Sequence, residues 1–260
     1  QRFRHREFVE QGELHYNSQG WFHYDFHSSL CSNDPKECVE RINRAIELGH
    51  ESLMAADWII ITLGTAWIYE IAESGIVVAN CHKQPSSKFK RRRLSVDEVV
   101  EQLEIAVSDL LPSKRVILTL SPIRHIADGL AQNSLSKSIL RVAIDEFAQR
   151  YPLRVDYFPA YEIFMDDLRD YRFYAEDMVH PSTVGVDYVW ERFCEGVVSD
   201  SAKVLMNKVL AIKRAAAHRA LNPQSDSYKR FCADQLRAIS HLEREVDMST
   251  EREYFTKGAE

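Results

Sequence analysis

The sequence predicts an α/β fold: a mostly parallel sheet with helices on both faces, followed by a helical C-terminal extension. Three observations carry this. Short apolar runs at Trp58–Leu63, Arg115–Leu120 and Val155–Phe158 alternate with longer segments of helical period. The runs lead into Gly64, Ser121 and Pro159, residues that end strands. From Ser199 onward only helical patterning appears.

The elements follow in order. Residues 1–20 are charged, include His5 and His15, and lack a clear period, so they read as the end of something that began earlier. Trp21 to Ser29 alternates aromatics and histidines, which suits an extended cleft wall. Asp34-Pro35 opens a helix, because Asp caps free amides, Pro fits the first helical position and Glu37 is placed to complete a capping box. Val39, Ile42, Ile46 and Leu53 carry that helix to about Ala56. Trp58–Leu63 is expected to be a strand buried on both faces. Ile76–Ala79 reads as a short strand, and Lys88–Arg93, with five basic residues around Phe89, as a solvated loop rather than a phosphate patch. Ser95 to Glu98 is a capping box, and the helix it opens carries Val99, Val100, Leu103 and Val107 and ends by Pro112. Ser134–Tyr151 is the next helix. A later one, capped by Ser182, places Val186, Val189, Trp190, Phe193 and Val197 on a face expected to seat it against a core. Ser199–Leu221, broken at Asn222-Pro223, and Tyr228–Val246 complete the chain. The domain expectation is therefore an α/β domain at 1–198 and a helical extension at 199–260 packed on it.

Composition narrows the function. With 260 residues, 45% hydrophobic and 28% charged, the chain has ordinary globular values and length enough for a sizeable core. A net charge of −6 argues against nucleic acid as a partner, and no apolar run is long enough for a membrane span. Cys31, Cys38, Cys81, Cys194 and Cys232 are odd in number and scattered, forming neither a disulfide framework nor a metal knuckle. That usage points to a reducing, cytoplasmic setting.

The chemistry centres on Asp177-Met178-Val179-His180. A carboxylate three residues before an imidazole can accept the Nδ1 proton, fix the tautomer and leave Nε2 free to take a proton from a nucleophile. Many such pairs are only surface hydrogen bonds, so other residues must support the assignment. Gly64 and Thr65 end the first apolar run, where ligands of open α/β sheets gather, and are candidate oxyanion donors or an ordinary turn. Asn80 and His82 can share one face of an extended segment, as an oxyanion donor with its neighbour or as a structural pair bonding loop backbone; Cys81 then points away. Arg124 and His125 follow the second strand, as an anion-holding group with a pocket-lining imidazole, or as loop braces.

Several blocks together resemble the bacterial GSCFA domain family: Thr62-Leu63-Gly64-Thr65-Ala66-Trp67-Ile68-Tyr69, Asn80-Cys81-His82-Lys83, Ser121-Pro122-Ile123-Arg124-His125, and Asp167 to Tyr174 through His180-Pro181-Ser182. The resemblance covers about Trp21 to Val197. It implies a branch of the SGNH (GDSL-type) hydrolases with a flavodoxin-like three-layer α/β/α fold. It also implies that Asp177 and His180 are the acid and base of a triad, and that Gly64 and Thr65 stand where related enzymes carry a Gly-x-Asn oxyanion element, with Thr65 and Asn80 substituting. The Gly-Ser-Cys-Phe-Ala motif, which holds the family's presumed serine nucleophile, is not in these 260 residues. The expectation is an N-terminally incomplete sequence, inactive as it stands.

The leading functional expectation is a serine hydrolase or acyltransferase acting on a small-molecule or glycan ester, without cofactor or metal. His180 and Asp177 are its catalytic residues, and Gly64, Thr65, Asn80, His82, Arg124 and His125 its oxyanion or substrate-binding residues. The alternative is a non-catalytic glycan-binding domain that uses Trp21, Trp67 and tyrosines as stacking surfaces. A metallohydrolase built from His82, His125, Asp177 and His180 lacks a close His-x-His or His-x-x-x-His pair.

Overall fold

A computed structural model describes residues 1–218, 222 and 224–259. The chain forms two compact units, Gln1–Val189 and Trp190–Glu260.

In the first unit, the charged N-terminal stretch folds into α1 (Arg2–His5), a 3-10 turn and strand β1 (His15–Asn17), which pairs antiparallel with β2 (Gly20–Phe22). Helix α2 (Pro35–Ala55) starts where Asp34 accepts from the Lys36 amide at 3.0 Å. Its buried stripe, Cys38, Ile42 and Ile46, joins Val9, Leu14 and Phe26 in a small core. Glu37 corrects the capping-box expectation: its carboxylate bonds Ser32 and Arg41 instead.

Strand β3 (Trp58–Leu63) then enters the sheet. Next comes an antiparallel three-stranded sheet of β4 (Trp67–Ile71), β5 (Val77–Val78) and β6 (Phe89–Arg93), in the order β5-β4-β6. The expected basic loop is thus a strand. Its charges are satisfied sideways, Arg91 on Asp128, Arg92 on Glu70 and Glu98, and Arg93 on the Gln132 carbonyl. The run is neither a phosphate patch nor a solvated loop.

Helix α3 (Val96–Val107) begins on the predicted capping box, with Ser95 and Glu98 each accepting the other's amide. It is followed by β7 (Arg115–Leu120), α4 (Leu130–Arg150) and β8 (Val155–Phe158). The three parallel strands β3, β7 and β8 stand where the sequence places them, in the order β3-β7-β8, with Leu63 opposite Leu120. Val116, Leu118 and Leu120 of β7 pack with Val99, Val100, Leu103 and Val107 of α3, with Leu140, Ala143, Ile144 and Phe147 of α4, and with Ile59, Ile61 and Leu63 of β3. The expectation that β3 is buried on both faces is corrected. Among the described residues it pairs only with β7, and Trp58 and Ile60 on its other face are 45% and 55% exposed.

After β8, a turn of helix α5 (Ala160–Glu162) runs into a π-helix (Ile163–Leu168) that stops at Arg169 in the left-handed region. A 3-10 turn, Tyr171–Phe173, leads to the loop carrying Asp177 and His180, and then to α6 (Thr183–Val197). Helix α6 seats itself differently from the predicted stripe. Gly185 is its one fully buried residue among those described, because a Cβ there would come within 2.8 Å of both the Phe164 ring and the Phe173 carbonyl. Tyr188 and Val189 pack against the Phe164, Leu168 and Tyr174 cluster, while Val186 is exposed.

In the second unit, α7 (Asp200–Ala217), α8 (Asp226–Leu242) and α9 (Ser249–Ala259) enclose Ile212, Cys232, Ile239, Leu242, Met248 and Phe255. Helix α9 lies beyond Val246, where the last expected helix ends. Leu221 and Pro223, where the preceding helix was expected to end and break, lie outside the described residues. Among the described residues, no helix is long and apolar enough to cross a membrane.

Candidate active site

The carboxyl ends of β3 and β7 lie side by side, since Ser121 donates its amide to the Leu63 carbonyl at 2.9 Å. Beyond them the chain places three groups from distant sequence: the turn Gly64–Trp67, the segment Ser121–His125, and the start of α4.

Helix α4 organises this end of the sheet. Lys137, only 2% exposed, extends its ammonium to the carbonyls of Gly64 and Ser121, both at 2.6 Å. Burial pulls its pKa down to about 8, and two carbonyl acceptors favour the charged form, so the ammonium persists at neutral pH. Ser136, 1% exposed, accepts the Ala66 amide at 2.7 Å and lies 3.1 Å from the Thr65 hydroxyl. The Thr65 Oγ1 in turn accepts the Trp67 amide at 3.2 Å, so this hydroxyl shapes the turn.

The described residues contain no cis peptide, and in a trans peptide the carbonyl and the next N–H point in opposite directions. With the Gly64 carbonyl tied to Lys137, the Thr65 N–H faces the other way, away from the ammonium.

His125 lies against Gly64, where a Cβ would be 3.4 Å from its Nε2. Its backbone amide is fixed by Asn133 Oδ1 at 2.8 Å. Burial, then the charges of Lys137 and Arg91, hold its pKa below the usual histidine value, so it is neutral at pH 7. His180 acts weakly in the same direction.

The Asp177–His180 loop is a short hairpin. Ala175 donates to the His180 carbonyl at 2.8 Å, Ser182 to the Phe173 carbonyl at 2.7 Å, and Tyr174 bridges Pro181. Arg124 ties the loop to the end of β7 by donating its amide to the Val179 carbonyl at 3.3 Å. Inside the loop, Asp177 Oδ1 accepts the amides of Val179 and His180, both at 2.9 Å, and Oδ2 accepts from His180 Nδ1 at 2.6 Å. Those two amides, and then the imidazole, hold the Asp177 pKa down to about 2. Met178 takes a left-handed φ of 58° to make the geometry, a conformation that costs a non-glycine residue. The His180 side chain is 57% exposed, so solvent reaches the imidazole.

The remaining sequence candidates go elsewhere. His82 is 3% exposed, donates Nε2–H to the His23 carbonyl at 3.0 Å and stacks on Phe22 at 4.4 Å. Asn80 spends its side-chain carbonyl on the His82 amide at 2.9 Å. They form a turn, not the extended segment expected, because His82 and Lys83 both have positive φ. Among the described residues no hydrogen bond links them to His125 or His180. Trp67 is covered by the guanidinium groups of Arg91 and Arg93, 4.6 and 5.5 Å from its ring. Among the described residues, no group of three or more His, Cys, Asp or Glu side chains could hold a metal ion. The sequence reading missed Ser136 and Lys137. Their signal is positional: the stripe Leu140, Ala143, Ile144, Phe147, extended one turn back at helical spacing, falls on a serine and a lysine.

The sequence pattern of the GSCFA family matches residues 1–193. The chain belongs to the GSCFA family. The pattern described as GSCFA domain protein, C-terminal domain matches residues 209–260, which holds most of the helical second unit. No curated protein and no solved structure matches this GSCFA chain. The dyad, His125 and the Lys137-braced strand ends all fall within the GSCFA match.

Proposed function

We propose that this chain is the base-carrying and oxyanion-carrying part of a serine hydrolase or acyltransferase that acts on an ester, of the SGNH type with a flavodoxin-like sheet. His180 takes the proton of a serine hydroxyl through Nε2, while Asp177 holds Nδ1–H and stabilises the imidazolium that forms. The Thr65 N–H, turned outward by the Lys137 bond to Gly64, donates to the oxyanion of the tetrahedral intermediate. Neutral His125 lines the space over Gly64. The serine comes from the family's Gly-Ser-Cys-Phe-Ala segment, which is outside these 260 residues.

The single observation that carries the reading is the 2.6 Å hydrogen bond between Asp177 and His180 Nδ1, in a loop whose own amides keep the carboxylate ionised. Asn80 and His82 have a structural role in this reading, since the Asn80 side-chain carbonyl and the His82 Nε2–H are committed to backbone.

The test is p-nitrophenyl acetate hydrolysis and fluorophosphonate labelling by the chain extended with the Gly-Ser-Cys-Phe-Ala segment. Both should be present and both should be lost in His180→Ala. Turnover unchanged by that substitution removes His180 from the mechanism. Glycan binding without labelling would favour a binding domain.

A further inference from the structure

Next to the dyad loop lies a cavity of about 210 Å³ with Arg124, Arg169, Tyr171 and Tyr174 on its walls, together with Met165 and Asp170. Its position relative to His180 is fixed by short connections. The Arg124 amide holds the Val179 carbonyl, and Tyr174 bridges Pro181, the residues on either side of His180.

Charge and shape distinguish this cavity. The Arg124 guanidinium lies over the Tyr174 ring at 4.0 Å and over Tyr171 at 5.2 Å, and its Nη1 donates to the Met178 carbonyl at 3.5 Å, which fixes its plane without neutralising it. Arg169, also on the wall, ends the π-helix in a left-handed conformation with φ 45°. Bulges of π type and left-handed non-glycine residues persist where the surroundings over-determine them, often at functional sites. Among the described residues neither arginine pairs with a carboxylate, whereas Arg91, Arg92, Arg115 and Arg141 each do. The acid on the wall, Asp170, is taken by Arg172 at 3.0 Å. Two arginines without a carboxylate partner therefore line one hollow that also has a tyrosine and a thioether on its walls.

We propose that this cavity is an anion subsite, taking a single ring or short chain that bears a carboxylate or a phosphate. A planar guanidinium presents paired donors that match either oxyanion, and Tyr171 with Met165 supplies a face for the ring or chain. The volume is below the roughly 300–1,000 Å³ of pockets for drug-sized ligands, so it suits one ring and not a polymer segment. That the anion belongs to the ester substrate rests on the hydrolase reading; that the cavity binds an anion does not.

The experiment is calorimetric titration of the 260-residue chain with sodium glucuronate, with glucose and with inorganic phosphate. Glucuronate or phosphate should bind, more weakly as salt is added, and glucose should not. The tighter of the two anions identifies the group as carboxylate or phosphoryl. Arg169→Asn removes a charge at an exposed position where asparagine tolerates the left-handed backbone, and should weaken binding roughly tenfold or more. Arg124→Lys keeps a charge but loses the stacked fork, and should weaken it as well; if that variant fails to fold, Arg169→Asn decides alone. His180→Ala should bind as tightly as the parent, so failure of the hydrolase reading leaves this result standing. Equal binding of glucose and glucuronate, no binding of either anion, or full affinity in Arg169→Asn would overturn the proposal.

Discussion

His180 and His82 look alike in the sequence, each a histidine in a polar loop after an apolar segment, yet the fold makes opposite use of them. His82 is buried, stacked on Phe22, and gives Nε2–H to a backbone carbonyl. His180 is more than half exposed, gives Nδ1–H to a carboxylate, and leaves Nε2 without a partner among the described residues. In the proposed function, the nitrogen that each histidine commits separates their roles. His82 closes a wall between the β1–β2 hairpin and the turn at Asn80, and its loss should be felt as stability. His180 ties only its own exposed loop to Asp177, and on the proposed function its loss should be felt mainly as chemistry.

The largest effect that sharpens this contrast is expected from His180→Ala. In the chain extended with the Gly-Ser-Cys-Phe-Ala segment, kcat/KM should fall by roughly 10⁴-fold, with a melting temperature close to that of the parent. Asp177→Asn should follow, with a loss of about 10³-fold, because an amide in place of the carboxylate no longer holds the imidazole in the required tautomer. His82→Ala should do the reverse. Losing the stacked ring and orphaning the His23 carbonyl should cost about 2–4 kcal/mol in chemical denaturation. An active-site phenotype for His82→Ala, in a variant of native stability, would break the comparison.

The last effect is a pH dependence that belongs to Lys137. Its pKa falls from 10.5 to about 8 on folding, so between those values the unfolded chain keeps a proton that the folded chain has released. Stability should therefore rise with pH through that window, by roughly 3 kcal/mol at 1.36 kcal/mol per unit, and stay flat just below it. The difference between the parent and Lys137→Met, followed by urea unfolding from pH 7.5 to 10.5, isolates it from tyrosine ionisation. An identical slope in the variant would show that the burial of this ammonium carries no such cost.

The parts of this fold legible in the sequence were those set by local rules. Ser95 and Glu98 cap one helix, Asp34 and Pro35 start another, and β3, β7 and β8 follow unbroken apolar runs. Asp177 and His180 were legible for the same reason, since three residues of chain suffice to join them. Strand β6 was hidden because its charges sit on both faces, and their partners, Glu70 and Asp128, come from other segments. The exposed face of β3 was hidden because an apolar hexad does not say how many neighbours it has; β7, with a similar hexad, is buried because it has two. Lys137 was hidden because a lysine in a helix is ordinarily a surface residue, and only the meeting of two strand ends over that helix gives its ammonium the Gly64 and Ser121 carbonyls.

The central claim, that His180 is held as a base with Nε2 open, is tested most directly by nitrogen-15 NMR of the imidazole tautomers at neutral to mildly alkaline pH, with His82 as internal reference. The account predicts Nδ1–H with bare Nε2 for His180, lost from that pattern in Asp177→Asn, and Nε2–H for His82 in both proteins. A His180 ring carrying its proton on Nε2, or a tautomer indifferent to Asp177→Asn, would contradict it.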